Sequence, residues 1–155
     1  MVQQENIPDL KGILYQYSVR NLPICGVSVA TMIHEYGHLI CSKILEFNGY
    51  IKSEALTSVY PVSKPAGIHL TLFYLSGGLL QFLIFGLMSL QGKDKGVKIA
   101  NRMTAVIGII EAIVEPIQSL RLSGVGASFG IILAFVYLAY EITRIQSTKV
   151  TFNNI

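Results

Sequence analysis

Four blocks of apolar residues, each near the length of a membrane-spanning helix, constrain this chain more than any other feature of its sequence. They comprise Leu22–Phe47, Ile68–Leu90, Val97–Leu120 and Gly124–Ile142. About 20 apolar residues suffice to cross the hydrocarbon core of a bilayer, and only 14% of the 155 residues are charged. The sequence therefore predicts an all-α integral membrane protein, a single domain over residues 1–155 with about four transmembrane helices.

The segments around the first block are expected to lie at the membrane face. Residues 49–64 contain β-branched and aromatic residues in loose alternation, which predicts a short strand pair or an extended loop. An extended edge of this kind can bind another extended chain by strand addition. Residues 13–19, ILYQYSV, are expected to form an amphipathic segment on the membrane surface.

Charge and cysteine content argue against nucleic-acid binding and against a disulfide within the first predicted helix. The formal net charge is +3, and the lysines and arginines form no basic stripe, so nothing favours nucleic-acid binding. Cys25 and Cys41 lie on the same predicted helix, 16 positions apart, which corresponds to about 24 Å and excludes a disulfide between them. Cys41 is expected to be a packed core residue.

The first block contains ionisable groups where a bilayer would penalise them. His34, Glu35 and His38 form the pattern H-E-x-x-H within MIHEYGHLI. On a helix the two histidines share one face, so both can bind one Zn²⁺, while the glutamate can act as general base on water. Because ionisable residues within a span cost several kcal/mol and are usually functional, the motif predicts a catalytic metal site.

A catalytic zinc usually has three protein ligands, so the chain needs one more. Asp9 and Asp94 lie outside the apolar blocks, and Glu141 is expected to reach the interface at the end of the last helix. Glu111 and Glu115 lie one turn apart in IIEAIVEPI. One is expected to bind the metal and the other to orient a histidine, with a slight preference for Glu111 as the ligand. His69 is more readily explained as an interfacial histidine.

These motifs resemble those of the site-2 protease family of intramembrane zinc metalloproteases. The resemblance is carried by HEYGH at 34–38, by the extended segment after it, and by SGG at 76–78. It implies that His34 and His38 are zinc ligands, that Glu35 is the general base, and that residues 49–64 form a membrane-associated β-structure that holds substrate. The family's usual third ligand is an aspartate in an LDG-type motif, and this sequence has glutamates instead.

The sequence thus predicts an intramembrane zinc metalloprotease that hydrolyses peptide bonds of membrane-associated protein or peptide substrates. The alternative is a non-catalytic membrane protein that binds or transports a metal ion through the same residues. A third hypothesis is a scaffold with a degenerate site that binds no metal.

Gly77 and Gly78 are expected to allow close helix approach in the second span.

Overall fold

The chain folds into five helices and one β-hairpin in a computed structural model, which describes residues 9–22, 28–53, 57–62, 66–118 and 125–152. The elements follow in the order α1 (Leu10–Asn21), α2 (Val29–Ile44), β1 (Gly49–Ser53), β2 (Thr57–Pro61), α3 (Ile68–Gln91), α4 (Lys95–Gln118) and α5 (Val125–Phe152). The prediction of a mostly helical protein with a short β element after the first long apolar block is confirmed.

Helix α1 packs one face into the protein core, while Leu10, Tyr15 and Val19 on the same helix are exposed. Its N-cap is Asp9, whose side chain accepts a hydrogen bond from the Lys11 amide. Ile13 and Tyr17 are buried in a cluster with residues of α4 and α5, among them Met103 and Leu138. Tertiary packing of two apolar side chains therefore determines the position of a helix whose apolar residues follow no clear amphipathic pattern.

Helix α2 carries the histidine motif and is shorter than the predicted span of residues 22–47. Ser28 caps its N-terminus by accepting a hydrogen bond from the Thr31 amide at 3.0 Å, an interaction typically worth about 1 kcal/mol. At the other end the backbone turns at Glu46 and Asn48, which both have positive φ angles. Leu22 belongs to the end of α1, and residues 23–27 lie outside the described parts of the chain.

Strands β1 and β2 form an antiparallel hairpin in which Gly49 pairs with Pro61 and Ile51 pairs with Val59. The hairpin packs on α2 and α3 through the buried side chains of Phe47, Val59 and Phe73. The strand pair expected within residues 49–64 is therefore present, and it lies directly against the helix that carries the histidines.

Helices α3 and α4 approach each other closely through glycine. A Cβ on Gly78 would lie 2.9 Å from Cα of Ala112, and one on Gly108 would lie 2.8 Å from the Phe82 amide nitrogen. Real Cβ atoms are not found at these distances, so a side chain at either position would push the helices apart. The close approach expected at the SGG segment is confirmed, and it brings the acidic face of α4 towards α2.

Two stretches among the described residues are long and apolar enough to cross a membrane: α3 and Ser128–Ile145 within α5. Helix α3 matches the predicted span of residues 68–90 closely. Helix α5 extends ten residues beyond Ile142, the end of the predicted fourth span. Helix α4 covers the third predicted span to Gln118; residues 119–120 lie outside the described ranges.

Glu141, expected at the interface from its position near the end of the last apolar block, has a buried side chain. Only 4% of the residue is exposed. Its carboxylate accepts hydrogen bonds from Tyr137 and Arg144 and lies 3.5 Å from the Arg102 guanidinium. A buried charge requires partners of this kind, and the contact with Arg102 joins α4 to α5.

Candidate metal centre

The two histidines of the motif lie side by side on the buried face of α2. His34 and His38 are each 6% exposed, and their Nε2 atoms are 3.0 Å apart. Residues four apart on a helix share a face, so the local fold of α2 is sufficient to bring these two nitrogens together.

The hydrogen bond of His38 determines which of its nitrogens carries the proton. Nδ1 lies 2.6 Å from the backbone carbonyl oxygen of Phe73 in α3. A carbonyl oxygen can only accept, so Nδ1 must donate. In the neutral ring this leaves Nε2 with a free lone pair, the form that binds a metal ion.

Glu115 supplies the third potential metal ligand. One carboxylate oxygen, Oε1, lies 2.9 Å from Nε2 of His34, and the other, Oε2, lies 3.4 Å from Nε2 of His38. Among the described residues, His34, His38 and Glu115 form the one group of at least three potential ligands whose donor atoms all lie within 4.8 Å of one another. The structure therefore brings together two predicted histidine ligands and one of the two predicted glutamates.

Glu111 contacts the other side of the His34 ring. Its Oε2 atom is 3.2 Å from Nδ1 of His34, close enough for an ion pair although the angle of a full hydrogen bond is not formed. A carboxylate at this nitrogen favours the proton on Nδ1 and leaves Nε2 free. The geometry therefore favours Glu115 as the ligand and Glu111 as the orienting group, which reverses the slight preference drawn from the sequence.

The donor set fits a divalent metal ion. With Nδ1 protonated in both rings, the two Nε2 lone pairs and the Glu115 carboxylate face one another with no proton between them, and Oε2 of Glu115 is buried without a hydrogen bond. Such an arrangement is repulsive. A metal ion among the three groups relieves the repulsion, as does a second proton on His34 that Nε2 donates to Glu115. Tetrahedral zinc with bonds of about 2.0–2.1 Å separates its ligand atoms by about 3.3 Å, similar to the separations of 2.9–3.4 Å seen here.

Gly77 of α3 forms one wall of the candidate metal centre. A Cβ at this position would lie 2.7 Å from Nε2 of His34 and 2.7 Å from Cε1 of His38. Both distances are shorter than real contacts of a Cβ atom, so only glycine leaves room for the two imidazoles in their present positions. The SGG segment singled out in the sequence therefore contributes directly to the shape of the site.

Glu35, the predicted general base, is buried beside the histidines. Its Oε2 atom accepts a hydrogen bond of 2.8 Å from the backbone amide of Val59 in β2. Glu35 also lines a cavity of about 260 Å³ together with His34, Glu111 and Glu115. The motif thus presents the predicted base and one of its histidines to the same partly open cavity.

The cavity also contains polar residues that sequence reasoning missed. Tyr17 and Asn21 reach it from α1, and Gln81 reaches it from α3. Burial, with a contribution from the Glu111 carboxylate, raises the pKa of the Tyr17 phenol, which is therefore neutral. Gln81, an uncharged polar residue in the middle of an apolar span, was a signal that could have been read; Tyr17 and Asn21 were not recognisable without the packing of α1.

The remaining candidate residues lie outside the candidate metal centre. His69 is exposed in the first turn of α3, and its placement at a membrane interface stays a prediction. Cys41 is half-buried and packs against the cluster formed by Phe47, Val59 and Phe73, which agrees with the expectation of a core cysteine.

No family model matches the sequence, and no curated protein and no solved structure matches the chain.

Proposed function

We propose that this protein is a zinc metalloendopeptidase of the membrane, with a site similar in its histidine motif to that of the site-2 protease family. The observation that carries the proposal is the convergence of His34, His38 and Glu115 next to a buried Glu35. Two imidazoles and one carboxylate are the ligand set of a well-known group of zinc peptidases. The same set also occurs in iron oxygenases, but a glutamate directly after the first histidine is the position of the general base in the H-E-x-x-H zinc peptidases.

Each residue has a defined task in the proposed reaction. Zinc, when bound, supplies Lewis-acid polarisation of the scissile carbonyl and makes water more acidic. Glu35 accepts a proton from the attacking water as the oxygen–carbon bond forms, and returns it to the nitrogen as the carbon–nitrogen bond breaks. His34, His38 and Glu115 hold the metal, and Glu111 holds the His34 ring in orientation.

The proposed location is the lipid bilayer, with about four spans and the hairpin at the membrane face. Helices α3 and α5 support this location because they meet the length and composition of a span and expose large apolar side chains. More than half of the surface of Leu87, Phe129 and Val136 is exposed, and such side chains are favourable in contact with lipid. The substrate class is accordingly a protein or peptide that the membrane brings to the site, and its chain must be locally extended to enter the partly open cavity.

The test compares the wild-type protein with Glu35→Gln, which keeps the shape of the side chain and removes the base. Each protein is reconstituted in liposomes with a detergent extract of membrane proteins, and the new N-termini are identified by mass spectrometry. We expect new termini in or beside membrane spans with the wild type and none with Glu35→Gln, although both bind zinc. If both zinc-loaded proteins give the same termini, the protease assignment is wrong and non-catalytic metal binding or transport takes its place.

A further inference from the structure

The hydrogen bond between Glu35 and Val59 joins the predicted base to the hairpin rather than to a neighbouring helix. The Val59 amide donates to Oε2 of Glu35 at 2.8 Å, and both residues are less than 9% exposed. Hydrogen bonds between an amide and an ionised carboxylate are stronger than those between neutral groups. The χ3 torsion of a glutamate is otherwise broadly distributed. This hydrogen bond is therefore able to fix the orientation of the Glu35 carboxylate.

The register of the hairpin explains why the Val59 amide is available. Opposite residues of an antiparallel pair alternate between hydrogen-bonded and non-hydrogen-bonded positions. The Val62 amide donates to the Asn48 carbonyl oxygen at one end of the hairpin, so by alternation the pair Ile51 and Val59 is non-hydrogen-bonded. The amides of both residues point away from the partner strand, and that of Val59 points at Glu35.

The side chain of Val59 fixes the strand at this point. It packs with Phe47 and Phe73 in a buried cluster, and the carbonyl oxygen of Phe73 is the acceptor that holds Nδ1 of His38. The Phe73 and His38 rings are also 4.8 Å apart. One cluster therefore determines the position of the amide that holds the base and of the carbonyl that holds a metal ligand.

We propose that Val59 is a positioning residue whose backbone amide holds one oxygen of Glu35, so that the carboxylate is oriented towards the cavity for proton transfer. The inference rests on the proposed function, because it assigns the amide a role in that reaction. A hydrogen bond of this kind acts on the rate of the chemical step, since a base displaced by about 1 Å loses on the order of 100-fold in rate.

Proline provides a selective test because it removes the amide hydrogen and is tolerated where a strand amide takes no part in the ladder. Val59→Pro removes the donor to Glu35. Ile51→Pro places the same residue at the opposite member of the same pair, where the amide does not reach Glu35, and is the matched control. Val59→Ile keeps the amide and a β-branched side chain.

Zinc per chain is measured by elemental analysis of each protein. The kcat and KM are then measured in detergent with fluorescein-labelled β-casein as substrate. The rate of cleavage by Glu35→Gln is the background. We expect all three hairpin variants to bind zinc as the wild type does. Val59→Pro is expected to lower kcat about 100-fold at unchanged KM, whereas Ile51→Pro and Val59→Ile keep kcat within a few-fold of the wild type.

Three results would overturn the inference while the proposed function stands. They are full kcat in Val59→Pro, an equal loss of kcat in Ile51→Pro, and loss of zinc from Val59→Pro alone, because the amide would then support the metal centre and not the base. A wild-type protein no more active than Glu35→Gln would instead remove the proposed function, and this inference with it.

Discussion

Oε2 of Glu111 lies 3.2 Å from Nδ1 of His34, the ring nitrogen that does not face His38. Glu115, one turn further along α4, faces Nε2 of the same ring at 2.9 Å. A single imidazole thus lies between two carboxylates that occupy one face of one helix. The two glutamates have the same chemistry and nearly the same burial, so their different tasks follow from which ring nitrogen each one meets.

Exchange of the two glutamates for glutamine is expected to separate these tasks. Glu115→Gln removes the charged ligand and should abolish zinc binding at stoichiometric metal. Glu111→Gln should keep zinc but weaken its affinity by about 10- to 100-fold, the usual effect of losing a partner behind a metal ligand. Competition with a chromophoric chelator measures both affinities. Equal losses in the two variants, or a larger loss in Glu111→Gln, would contradict the assignment.

Gly77→Ala is expected to prevent zinc binding, because the added methyl group would come within 2.7 Å of Nε2 of His34. Gly86→Ala is the matched control on the same helix, since a Cβ at Gly86 meets nothing within 4 Å. Replacing a helical glycine by alanine in open space stabilises a helix by roughly 1 kcal/mol. Elemental analysis and thermal unfolding of both variants check this pair; zinc retained by Gly77→Ala would show that α3 does not confine the site.

Metal removal is expected to destabilise the wild-type protein. Zinc that binds only the folded state, at a free concentration 100 times its Kd, contributes about 2.7 kcal/mol. Treatment with 1,10-phenanthroline should therefore lower the Tm of the wild type, and readdition of zinc should restore it. The His34→Ala protein should unfold at the same temperature with and without the chelator. An unchanged wild-type Tm would mean that the three groups do not bind zinc in the folded state.

Glu141 is expected to stabilise the packing of α4 against α5 without affecting the metal centre. Glu141→Gln removes the charge that pairs with Arg102 and Arg144. Because both arginines are partly exposed, the loss should be about 1–2 kcal/mol and not the larger cost of a fully buried pair. Unfolding in detergent measures this value. Zinc per chain should remain unchanged, and a loss of zinc would show that the two clusters are coupled.

The local part of the site was predictable from sequence because it depends on a single helix. The H-E-x-x-H spacing places His34 and His38 on one face wherever α2 lies, and the SGG segment indicated a close helix approach. The choice between Glu111 and Glu115 was not predictable. It depends on how far α4 is shifted along its axis relative to α2. Both helices pack on α3, where Gly37 of α2 meets Gly77 and Gly108 of α4 meets Gly78.

The contributions of α1 and of the hairpin were also beyond sequence reasoning. The apolar residues of α1 do not show which of them pack inside the protein, and the burial of Ile13 and Tyr17 against α4 became visible only in the structure. The strand pair was expected, but the contact of the Val59 amide with Glu35 depends on which residues of β1 and β2 pair with each other. A register cannot be read from loosely alternating residues, because a shift of one residue reverses every amide and side chain.

Zinc per chain, measured by elemental analysis of the detergent-purified protein, tests the central claim most directly. The comparison is with His34→Ala/His38→Ala, which lacks two ligands, and with His69→Ala, which removes an exposed histidine outside the site. We predict about one zinc per chain in the wild type and in His69→Ala, and none in the double variant. Absence of zinc from the wild type after zinc is supplied, or equal zinc in all three proteins, would contradict the account.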